Sequence, residues 1–134
     1  ATFKQWSYKP WRDESDSDNV LFISTHAAGD VKEGMGAKYA SGSQYTGMFY
    51  PGTGAESSGG VLNIPLGPRF GSKEFRVAVE THMLPRLDRF KPDIIIISAG
   101  FDAHKQDAMN YGLVELGEGD YFWVTDRLRS IAEK

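Results

Sequence analysis

Asp102 is where the residue types and their spacing first point to chemistry. It closes the run Ile94-Ile95-Ile96-Ile97-Ser98-Ala99-Gly100-Phe101, so a carboxylate emerges behind a strongly apolar segment, with Gly100 free to turn the backbone just ahead of it. Burying a carboxylate there is costly unless something compensates its charge. A bound cation would do so, and so would the backbone N–H groups of a turn that Asp102 caps; the residues alone leave both open. His104, two positions on, completes an Asp-x-His spacing, although a loop histidine by default faces solvent. A second set, Ser24-Thr25-His26, follows another apolar run, Val20-Leu21-Phe22-Ile23. In open parallel sheets ligands lie beyond the carboxyl ends of the strands, and both sets fall at such ends.

Other patterns are weaker. Pro51-Gly52-Thr53-Gly54 has the look of a phosphate cradle but lacks the Lys-Ser/Thr ending, and no helix-forming run follows it. It reads as a turn that presents Phe49 and Tyr50. There is no Gly-x-Ser-x-Gly elbow and no pair of carboxylates spaced for glycoside hydrolysis. With no cysteine, a disulfide framework, thiolate zinc ligands and a thiol nucleophile are excluded. The 15 basic and 18 acidic side chains leave a net charge of −3, which argues against a direct nucleic-acid surface. The four-isoleucine run is far short of the ~20 apolar residues of a membrane span, and no apolar leader-like stretch follows the first aromatic residues. A soluble protein of a reducing compartment is the expectation.

The elements that must position these residues follow from periodicity. The 134 residues, 40% hydrophobic and 25% charged, suit one domain at most. Residues 1–19 form an aromatic and then acidic lead-in. Val20 to Ser24 and Val61 to Ile64 read as strands, the second closed by Pro65, with a long glycine-rich stretch between them. From Ser72, a plausible N-cap, Phe75, Val79, Met83, Leu87 and Phe90 recur at helical spacing, with Pro85 expected to bend the helix near Thr81. Lys91-Pro92-Asp93 ends it. Ile94 to Ser98 is expected to be a strand buried on both faces. A last helix runs from about 118 to 133, with Tyr121, Val124, Leu128 and Ile131 on one stripe. The sum is an α/β fold, part of a mostly parallel sheet with flanking helices. Two helices are too few to cover such a sheet, which points to a larger unit.

Several strings together resemble one family. Val20-Leu21-Phe22-Ile23-Ser24-Thr25-His26, Phe49-Tyr50-Pro51-Gly52-Thr53-Gly54, Asn63-Ile64-Pro65-Leu66 and Pro92-Asp93-Ile94-Ile95-Ile96-Ile97-Ser98-Ala99-Gly100-Phe101-Asp102-Ala103-His104 stand in the order seen in zinc-dependent histone deacetylases, nearest to the class II type. The final Asp120-Tyr121-Phe122-Trp123-Val124-Thr125 fits that type too. The resemblance implies an arginase/deacetylase-like fold that binds Zn²⁺ and hydrolyses the acetyl-lysine amide of histones or other proteins. It implies that Asp102 is a zinc ligand and His104 is not. It places Tyr50 in the wall of the acyl-lysine tunnel and Met109 near its mouth, and it gives Ser24 and Thr25 to a structural K⁺.

The family's Asp-x-His ligand pair, tandem histidines and transition-state tyrosine have no counterpart here; the only histidines are His26, His82 and His104. The expectation is therefore an internal piece of the catalytic domain that carries no general base and is inert alone, since catalytic zinc takes three protein ligands. Its implied partners are an acetyl-lysine peptide and the remainder of the domain, in the nucleus or cytoplasm. The rivals are a catalytically dead scaffold of the same fold and an acetylpolyamine amidohydrolase.

Overall fold

The computed structural model describes residues 16–27, 54, 56–67, 69–110, 112 and 114–134. They fall into two compact units, 1–67 and 68–134.

The first unit holds a one-turn helix, α1 (Asp16–Asn19), and two parallel strands, β1 (Phe22–Ala27) and β2 (Val61–Leu66). The register pairs Phe22 with Val61, Ser24 with Asn63, Thr25 with Ile64 and His26 with Pro65. Both strands run further toward their carboxyl ends than hydrophobicity alone indicates. Pro65 lies inside β2, where it is exposed and its missing N–H is tolerated because, among the described residues, β2 is an edge strand. Ile64 and Leu66 are buried.

The second unit is built on helices. Residues 72–90 wind as α2 (Ser72–Ala78), a π-helical turn (Val79–Met83) and α3 (Leu84–Phe90). Gly71 is the N-cap rather than Ser72, and its N–H donates to the Glu74 carboxylate at 3.2 Å. Pro85 has no N–H to offer the Thr81 carbonyl, and the helix accommodates this by widening, with the Leu84 N–H reaching back five residues to the Val79 carbonyl. The Thr81 hydroxyl donates to the Val77 carbonyl at 2.7 Å. The helix stops at Lys91, which takes a left-handed φ of 54° and donates its N–H to the Leu87 carbonyl ahead of Pro92.

A second long helix, α4 (Glu118–Ala132), starts at Gly117. Two short parallel strands, β3 (Phe70–Gly71) and β4 (Val114–Glu115), precede α2 and α4. Phe70, Phe75, Ala78, Val79, Leu87, Val114, Leu116 and Leu128 make the core. Trp123 meets Phe75 edge-on at 6.5 Å, and its ring lies under the guanidinium groups of Arg76 and Arg127 at 5.1 and 5.6 Å.

The expected buried strand at Ile94–Ser98 is not one here. Residues 94–100 pair with no strand among the described residues, and Ile94 and Ile96 are 78% and 87% exposed. The physical reason is that β-branched side chains favour a strand but do not create one. A strand needs a neighbouring backbone to receive its N–H and C=O groups, and the described residues place none beside this segment. The parallel strands with packed helices nevertheless make the fold α/β, as the sequence indicates.

Candidate functional site

Asp102 sits in a 3-10 turn, Phe101–Ala103, that follows the isoleucine segment. The turn closes through Ala103 N–H to Gly100 O at 3.2 Å and His104 N–H to Phe101 O at 2.9 Å. Its far end is held by Lys105 N–H to Leu116 O at 2.8 Å and by Asn110 Nδ2–H to His104 O at 3.1 Å. Among the described residues no hydrogen bond or ion pair engages the Asp102 carboxylate, which is exposed. The Asp102 side chain does not cap the turn, whose N–H groups from Ala103 and His104 are taken by main-chain carbonyls.

Gly100 serves the carboxylate directly. A Cβ at that position would stand 3.1 Å from Asp102 Oδ1, closer than ordinary packing, so the bare glycine leaves the space that the oxygen occupies.

His104 is committed elsewhere. Its Nδ1 accepts from the Gln106 N–H at 3.2 Å, which leaves Nε2 to donate to the Glu118 carboxylate at 3.3 Å. With both nitrogens used, it is not disposed to bind a metal. The Glu118 carboxyl is held below its ordinary value, first by its own backbone N–H at the helix start and then by His104.

Tyr121, read from the sequence as one member of an apolar stripe, does more than pack. Its hydroxyl reaches the Gly100 carbonyl at 3.2 Å and the Phe101 carbonyl at 3.5 Å, and its ring contacts those of Phe101 and His104 at 5.3 and 6.3 Å. Phe101, His104, Gln106, Asp107, Glu118 and Tyr121 line an open hollow of about 430 Å³ beside the turn, which does not include Asp102. Met109, 63% exposed, follows in the loop, its N–H donating to the Asp107 carboxylate at 2.7 Å.

The first unit carries Ser24 and Thr25 on β1. The Gly54 carbonyl can only accept, so the bond from His26 Nε2 at 3.0 Å fixes the proton on that nitrogen. Burial pushes the His26 imidazole below its ordinary value and keeps it neutral, so Nδ1 accepts the Ser24 hydroxyl proton at 3.0 Å. The Ser24 oxygen keeps its lone pairs. Asn63, opposite Ser24 and on the same face of the sheet, is buried, and its Oδ1 has no hydrogen-bond partner among the described residues. Its Nδ2 and backbone N–H are satisfied by Glu56 O and Ser57 Oγ at 2.6 and 2.9 Å.

Sequence reasoning also passed over Asp120. It is a buried acid bonded to Ser72 Oγ, Arg76 Nε and the Gly117 N–H, and an Asp three residues after Gly117 is the available signal for such a helix start. Tyr50 lies outside the described residues. Among those described, no three His, Asp or Glu side chains gather to hold a metal ion, and no helix is long and apolar enough to cross a membrane.

A family model described as "Histone deacetylase domain" matches residues 13–134. Type-2 histone deacetylase 2 of Dictyostelium discoideum is 36% identical over 130 residues, 90% of this chain and 7% of that protein. The histone deacetylase-like amidohydrolase of Pseudomonas aeruginosa is 34% identical over 117 residues, 87% of this chain and 27% of that protein. The crystal structure of the HDA15 HD domain superposes with a TM-score of 0.63 at 30% identity, covering 85% of this chain and 30% of that one. The chain thus spans less than a third of the length of each.

Proposed function

The chain belongs to the histone deacetylase family, and from that premise we propose that it contributes a zinc ligand and part of the substrate passage to a zinc-dependent lysine deacetylase. The observation that carries the proposal is the Asp102 carboxylate: exposed, unengaged among the described residues, set on a turn tied at both ends and given room by Gly100.

The donor chemistry fits. A carboxylate oxygen is an ordinary Zn²⁺ ligand, and Asp102 supplies one donor of the three that a catalytic site takes. When bound, the metal would act as a Lewis acid toward the acetyl-lysine carbonyl and acidify its water. This chain's own part is to hold a negative oxygen in a fixed place. His104 supports the loop without ligating. Tyr50 and Met109 are assigned to the wall and mouth of the passage for the acyl-lysine stem.

We assign K⁺ to the first unit. Ser24 Oγ has its proton turned toward His26, the Thr25 carbonyl is another oxygen donor, and Asn63 Oδ1, without a partner among the described residues, lies across from Ser24 on the same face. An oxygen-only set suits an alkali cation rather than zinc.

The test is Asp102→Asn in the deacetylase polypeptide that carries this sequence. The variant is expected to lose zinc and acetyl-lysine peptide hydrolysis while keeping its circular dichroism, whereas His104→Ala keeps both zinc and substantial turnover. Unchanged zinc and turnover in Asp102→Asn would remove the assignment. Parallel assays with acetylated polyamines separate the amidohydrolase rival, and a wild-type polypeptide without metal or turnover would be the scaffold.

A further inference from the structure

We infer that Tyr121 is a positioning residue for Asp102, acting through its hydroxyl; the inference rests on the reading of Asp102 as a metal ligand. The 3-10 turn hangs from two carbonyls, Gly100 O and Phe101 O, which accept the turn's own N–H groups from Ala103 and His104. The Tyr121 hydroxyl, at 3.2 and 3.5 Å, shares its proton between the second lone pairs of the same two oxygens. Among the described residues it is the one side-chain donor that reaches these two carbonyls.

The donor stands on a rigid base. Tyr121 follows Asp120, whose buried carboxylate bonds Ser72, Arg76 and the Gly117 N–H and so locks the first turn of α4 onto α2. The N-terminal side of the turn that carries Asp102 is thereby referred to the helix pair. That matters because residues 94–100, on the N-terminal side of the turn, have no sheet partner among the described residues to hold them. A ligand must be kept within about 0.5 Å of its productive position. Packing alone would be served equally by phenylalanine, since the ring contacts to Phe101 and His104 need no oxygen.

Tyr121→Phe, which keeps the ring and removes the hydroxyl, is the test. In the zinc-loaded deacetylase polypeptide, the amides of Ala103 and His104 are expected to exchange about five- to tenfold faster, the population change for one neutral hydrogen bond, while those of Trp123 to Leu128 are unchanged. Zinc release to a chelator is expected to accelerate, and the visible bands of the cobalt-substituted protein to shift. Faster amide exchange with unaltered zinc release and cobalt spectrum would make the clamp purely structural and overturn the inference. Faster zinc release with unaltered exchange would overturn its route, and no change in any readout would overturn it outright. Asp102→Asn run alongside distinguishes the two levels: if that variant keeps its zinc, the ligand reading itself has failed.

Discussion

Replacing Asp120 measures how firmly the first turn of α4 is held by one carboxylate. The Asp120 side chain is 3% exposed. Its Oδ2 accepts from Ser72 Oγ at 2.7 Å and Gly117 N–H at 3.1 Å, and its Oδ1 from Arg76 Nε at 2.9 Å. Bonds to a charged partner contribute roughly 1.5–3 kcal/mol each, against about 1 kcal/mol for neutral pairs. Asp120→Asn keeps an oxygen for Ser72 and Gly117 but turns an amide NH₂ toward Arg76, so one charged bond is lost and two are weakened. Arg76 is 40% exposed and is rehydrated when released, which discounts the loss. The expected cost is about 2 kcal/mol for Asn and about 3 kcal/mol for Ala, which also strands the Gly117 N–H.

Native-state hydrogen exchange of the α4 amides reads this directly, since about 3 kcal/mol corresponds to roughly 150-fold less protection. The pH dependence supplies a second reading. Burial alone would raise the Asp120 carboxyl, but the bonds from Ser72, Gly117 and Arg76 outweigh it and hold the group below its ordinary 3.8. The unfolded chain therefore binds the proton first. The stabilisation is intact above about pH 3.8 and is lost as pH falls through the lower folded value. An Asp120→Ala variant as stable as the parent within about 0.5 kcal/mol, or with the same acid limb, would refute the reasoning.

Three further outcomes are expected. Gly100→Ala, at a negative φ that alanine accepts, pushes a methyl toward Asp102 Oδ1 at 3.1 Å; zinc content should fall while the urea midpoint stays nearly constant. Proton NMR should find His26 titrating below 6.5, with burial as the main cause; because the unfolded chain protonates first, stability of the first unit should decline as pH falls below about 6.5. Ile96, 87% exposed within a β-branched run that carries no charge, should drive self-association of the 134-residue chain, and Ile96→Lys should lower its sedimentation-measured assembly without changing its far-ultraviolet spectrum.

The two kinds of element were legible to different degrees. The helices could be read because their signals are local: Phe75, Val79 and Leu87 repeat at helical spacing, and Lys91-Pro92 stops the run. The widening at Val79–Met83 was foreshadowed by Pro85, although as a bend rather than a π turn. The strand at Ile94–Ser98 was over-read, because an apolar β-branched run records a preference and says nothing of whether a second backbone lies alongside. Asp120 was passed over because a buried acid looks like any surface acid until Ser72 and Arg76, more than forty residues earlier, are brought beside it.

What the amino-acid order determined by itself was the family, the α/β class and the identity of Asp102 as the residue to watch, since each is carried by contiguous residue types. Tertiary structure alone decided that His104 spends both nitrogens on Gln106 and Glu118, that Gly100 leaves the gap for a carboxylate oxygen, and that Tyr121 reaches back twenty residues to the turn. Those are matters of direction and distance between groups remote in sequence, and a hydrogen bond depends on both.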